Sequence, residues 1–318
     1  MPDFAPAHRL MGIWAWNKRG DFAQAEKSLQ RAIALEPDNA RLLFERDYLY
    51  KINGKSPAFR LAALADKVDV ALMRDDLTAE LLNLWNITGQ TGLAAQTLAG
   101  RTFHPWEGGE GKVTGQYLIN QQRRAIAAID RGQLEEAREL LRAALTYPLN
   151  LGEGRLAGQS DNDIWYLLGL CAERQGEREQ AQAAYREAAK GGSSLDAGRY
   201  YNDQPVDYLF YQALAFNRTG QAEKAAEMFK GFIAWASAHR DDPVQSDFFA
   251  VSLPDLVALD GDARSAHLQH CLFVSALGHL GLGEVDKFKQ IVSELLDINP
   301  SHDKAHLIRL ACEAGLYR

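Results

Sequence analysis

The chain has 318 residues, 47% of them hydrophobic and 24% charged, enough for one elongated repeat domain or two compact ones. Lys and Arg number 35 against 42 Asp and Glu, and the net charge of −7 argues against a nucleic-acid protein, which presents a basic face to phosphate. No apolar run approaches the ~20 residues that cross a bilayer, the N-terminal MPDFAPAHRL has no secretory-signal pattern, and Cys171, Cys271 and Cys312 form no CxxC pair.

Apolar periodicity predicts helices in pairs: 6–19/22–35, 40–53/57–73, 76–88/91–99, 114–131/134–146, 161–175/177–190, 205–218/221–238 and 265–281/284–297, with a final helix from about 302. No segment shows sustained period-two alternation, so no sheet is predicted. The pairs share a frame. In 163–188, Trp165, Leu168, Gly169 and Ala172 precede a turn at Gly176, and Ala181, Tyr185 and Ala188 follow it. The first pair sets Trp16, Gly20, Ala25, Leu29, Ala32 and Pro37 at equivalent spacing, and similar sets recur around Gly132, Gly220 and Gly283. Small residues let paired helices approach, and each turn glycine takes the left-handed conformation that ends a first helix.

A period of ~34 residues with this pattern resembles the tetratricopeptide repeat. The expected fold is all-α, a right-handed TPR-like α-solenoid of about seven to eight helix pairs with long inter-repeat loops, spanning 1–318 as one domain. Pro2-Asp3-Phe4 stands one period before Pro37-Asp38-Asn39, and the array opens on Leu10, Ile13, Trp14 and Trp16 without a polar cap. The expectation is a C-terminal fragment of a longer protein whose opening end docks on a neighbouring module.

Four connections are too long for plain repeats: 103–113, 147–161, 191–203 and 243–262. They fall between repeats, on what should be a common side. FHPWEGGEGKV, 103–113, is not a nucleotide loop. Trp106 stands where GxxxxGK needs its first glycine, Val113 replaces the magnesium-binding hydroxyl, and no strand precedes it. Gly-Glu-Gly occurs at 109–111 and 152–154, followed by Lys112 and Arg155. One reading is two tight turns whose glutamates cap helices or pair with those bases. The other is a ligand site of His104, Trp106, Glu110, Glu153, Arg155, Tyr200, Tyr201 and Asp203, where carboxylates and aromatic faces suit sugar hydroxyls and rings. His302 and His306 share a helix spacing, but no third ligand and no HExxH accompany them, so no metal or other cofactor is expected.

In this order among TPR-like helices, FHPWEGGEGKV, NLGEGR, YYNDQP and DFFAVSLPDL resemble the C-terminal region of a family of large bacterial proteins. In that family a domain of unknown function, itself similar to the β-sandwiches of sugar-active enzymes, precedes TPR repeats. The resemblance runs from the first repeat to His302. It implies a link to carbohydrate, with any chemistry expected mainly in the preceding domain and no assigned residue role to carry over to this chain.

The function expected is a non-catalytic cytoplasmic scaffold. It binds a peptide, a protein partner or its own N-terminal domain in a concave groove. The alternative is a carbohydrate-processing protein whose loops complete a sugar site. A basic clamp for acidic peptide tails finds only Arg123, Arg124, Asn217 and Arg218 as candidates.

Overall fold

The computed structural model describes residues 3–195, 205–244 and 258–317. Among them every regular element is helical: α1 (Ala5–Arg19), α2 (Phe22–Leu35), α3 (Ala40–Ile52), α4 (Pro57–Leu64), α5 (Val68–Ala71), α6 (Asp75–Ile87), α7 (Thr91–Gly100), α8 (Lys112–Asp130), α9 (Leu134–Ala144), α10 (Asn162–Arg174), α11 (Arg178–Ala188), α12 (Val206–Arg218), α13 (Ala222–His239), α14 (Ala263–Gly281), α15 (Val285–Ile298) and α16 (Asp303–Glu313), with a 3-10 turn at Leu149–Leu151. The pairs form the α-solenoid that the repeat spacing predicts. One predicted helix, 57–73, is broken into α4 and α5. Arg46 donates to the carbonyl of Ala63 at 2.5 Å and Lys67 N–H turns back to Leu64 O, which satisfies the end of α4.

The turn between α1 and α2 shows how a pair closes. Gly20, at φ 60°, donates to Trp16 O, and Asp21 N–H reaches Ala15 O, while the Asp21 carboxylate caps α2 at Gln24 N–H. Close approach within pairs depends on missing side chains. A Cβ on Gly169 would lie 2.6 Å from the Tyr185 ring, and one on Gly278 2.7 Å from Phe229 O.

The two helices of a pair differ in what they bury. α9 buries one stripe, Ala137, Arg138, Leu141 and Ala144. By contrast α8 buries residues around its whole circumference, as do α6, α10 and α12. Burial all round marks an inner layer covered on both sides. Second helices cover it from outside, and α16 covers it from inside, packing on α6 and α8.

The array also closes on itself. Trp16 Nε1 donates to Asp260 O at 2.8 Å, Asn17 exchanges bonds with Ala258 O and Asp260 N–H, and Leu259 joins Ala15, Ala25, Leu29 and Leu49 in one apolar cluster. Ser301, between α15 and α16, bonds Arg60 on α4 and Asn83 on α6.

Candidate functional site

The two Gly-Glu-Gly loops meet. Phe103 N–H donates to Asn150 O at 2.7 Å, and the Asn150 amide donates to the carbonyls of Leu98 and Arg101. Gly152 is left-handed at φ 80°, and a Cβ there would sit 2.6 Å from Phe103 O, so only glycine fits this crossing. Trp106 folds over Gly109, where a Cβ would come within 2.0 Å of its ring, and packs half-buried against the main core.

The ionisable groups of these loops have definite partners. Both oxygens of Glu153 accept from Gly111 N–H, at 3.0 and 3.1 Å, and one accepts from Thr114 Oγ1 at 3.0 Å. Gly111 immediately precedes α8, so this carboxylate caps that helix from another loop and faces its positive end. Arg155 donates to the Asp161 carboxylate and to Gln159 O. Asp161 is buried in a left-handed conformation, and burial holds its carboxyl above the usual range against the pull of Arg155. His104 is exposed, and its N–H donates to Asp75 at 3.0 Å. Burial resists ionisation of Asp75, but Arg101 and that N–H together hold its pKa down. Glu110 is exposed. Of the expected sugar-site residues, the structure thus brings Trp106, Glu110, Glu153 and Arg155 onto two joined loops, with His104 on the same strand of chain. Tyr200, Tyr201 and Asp203 lie outside the described residues.

A second polar constellation lies along α16, on the inner wall of the solenoid. Gln116 of α8 donates to Asp303 at 2.9 Å, and Asn86 of α6 donates to Gln116 and accepts from Asn120. Lys304 donates to Asp207 of α12 at 2.7 Å. Nearby Asp163 of α10 accepts from Gln122 at 2.9 Å and is 1% exposed. Burial pushes the Asp163 carboxyl up to about 7; Lys304 opposes this and Asp207 adds to it. Burial works against the Lys304 charge, yet Asp207 and Asp163 overcome it and raise its pKa. Past α16 the chain turns back, so that the Tyr317 and Tyr211 hydroxyls meet at 2.7 Å and Tyr166 reaches Leu316 O. The groove expected to hold a peptide holds this chain's own helix.

Lys304, Asp163 and Asp207 escaped the sequence reading. The available signal was the continuous apolar character of 163–172 and 206–216. An acidic residue opening such a helix is flanked by buried positions and needs a partner.

A family model described as tetratricopeptide repeat matches residues 18–65 and 123–197, and a second of the same description matches 207–234. Among solved structures, the crystal structure of MamA protein is 16% identical with a TM-score of 0.28, over 78% of this chain and 100% of that one. The TPR domain of P58(IPK) is 14% identical with a TM-score of 0.26, over 98% of each chain. The matched segments take in α2 to α4, the end of α8 with α9 to α11, and α12 with most of α13, and the chain carries tetratricopeptide repeats there.

Proposed function

We propose that this chain is a non-catalytic protein-interaction scaffold that docks on a neighbouring protein module through its opening helix. The observation behind this is the outer face of α1. Phe4, just before it, and Leu10, Met11 and Trp14 along it are each half or more exposed, at spacings that form one apolar stripe. Helix α16 occupies the inner wall, so an outer face is the more accessible surface for a partner. A sugar-handling role for the loops draws support from their junction and from the exposed Glu110 but loses the Glu153 carboxylate to helix capping.

Photo-crosslinking residues at Leu10 or Met11 test the reading in cells, with Leu149, an apolar side chain 98% exposed elsewhere, as control. The expected result is a discrete protein adduct from α1 and none of that mass from 149. Equal labelling at both places, or none at α1, would overturn it.

A further inference from the structure

Arg123 lies on α8 and faces α16. It is 9% exposed, and its Nε and Nη1 are buried without a hydrogen-bond partner. Register explains what stands opposite. Gln116 and Asp303 bond at 2.9 Å near the starts of α8 and α16, and Arg123 and Arg309 lie further along, about 10 Å up α8 and about 9 Å up α16. The two cations do interact: burial first, and Arg309 second, push the Arg123 guanidinium down to about 10.

His306 completes the cluster. Its Nε2 lies 2.8 Å from Pro300 O and its Nδ1 3.2 Å from an Arg309 nitrogen, a pattern that suits the neutral ring with Nδ1 accepting. Burial, with both arginines contributing, keeps its pKa low. Among the described residues, the acid paired with Arg309 is Glu313, 3.9 Å away and 60% exposed, where water screens it. A guanidinium taken out of water with bonds unmade, beside a second cation, is a costly arrangement unless an anion joins it.

We propose that Arg123 and Arg309 form a binding site for a phosphate-type oxyanion, clamped between α8 and α16. Two guanidinium charges match a dianion, whereas a lone carboxylate leaves one charge uncompensated. Arginine supplies several donors in a plane, which suits tetrahedral oxyanions. The half-exposed Arg309 side chain gives the route from solvent.

The test uses inorganic phosphate on the full chain, at constant ionic strength with chloride as the balancing salt. The wild type should show a saturable rise in Tm with phosphate. Arg309→Gln, changed at a half-exposed position, should keep its fold and need about tenfold or more phosphate for the same rise. Arg123→Met removes the buried charge and should lose the phosphate response and the line-broadening of the phosphorus NMR signal. If the wild-type Tm does not rise when phosphate replaces chloride, or both variants respond to phosphate as the wild type does, the site does not exist.

Discussion

Arg60 and Arg123 are both buried guanidiniums, on α4 and α8. Arg60 has its side chain fully out of solvent between Asp47 at 2.5 Å and Glu80 at 2.9 Å, with Ser301 Oγ at 2.9 Å as a third partner. Burial works against its charge, but the two carboxylates win and raise its pKa. Burial likewise opposes ionisation of Glu80, and Lys51 and Arg60 overcome it, taking its carboxyl down to about 2. Arg123 has a second arginine where Arg60 has two acids. One cluster joins α3, α4, α6 and the 301 turn into a fixed unit; the other is a positive centre left by the fold on its inner wall. Buried charge alone therefore does not distinguish a structural tie from a binding site: the partners do.

That contrast can be broken most forcefully at Asp47. Asp47→Ala takes one of its two carboxylates from Arg60, leaving Glu80 and Ser301, and should cost about 3 kcal/mol in denaturant unfolding at pH 7. Lys304→Met tests the intermediate case, in which a lysine with a quarter of its side chain exposed serves Asp207 and Asp163. It should cost about 2 kcal/mol, discounted for solvent screening. The sign with pH is definite. Asp163 is raised in the folded state, so its contribution is full below the unfolded carboxylate range and is lost as pH climbs through about 7. Without Lys304 that loss extends to higher pH, and the gap between variant and wild type should be wider at pH 8 than at pH 5. Glu80 has the opposite sign, with stability lost as pH falls towards about 2.

A carboxylate can also be held by backbone donors. Glu153→Ala removes the cap of α8 and should cost about 1 kcal/mol, against under about 0.5 kcal/mol for the exposed Glu110→Ala. The smallest effect sharpens the comparison most. Arg123→Met should lose no more than about 0.5 kcal/mol, because a buried charge without a counter-charge contributes nothing to the fold. A loss like that of Asp47→Ala would place Arg123 with Arg60.

The helix pairs were legible because their causes are local. Turn glycines such as Gly20 and Gly176, small contact residues such as Gly169 and Ala181, and apolar spacing all act within ~34 residues. The loop junction was legible in part. Repeat topology put 103–113 and 147–161 on one side, but the capping of α8 by Glu153 depends on a bond across 42 residues. The inner cluster was the least legible. Asp163, Asp207 and Lys304 meet only because the array curves until α16 reaches the first helices of several repeats, and curvature accumulates from small rotations that residue patterns do not encode.

Helix α16 also fixes an order of events at the ribosome. It is synthesised after every helix it covers. Chain growth of ~5–20 residues per second leaves roughly 5–20 s between completion of α12 and of α16. For that interval the inner faces of α6, α8, α10 and α12 stand open to water and to other chains. The nascent protein passes through a horseshoe before it becomes a filled ring, and a pause in translation before residue 303 prolongs that vulnerable shape.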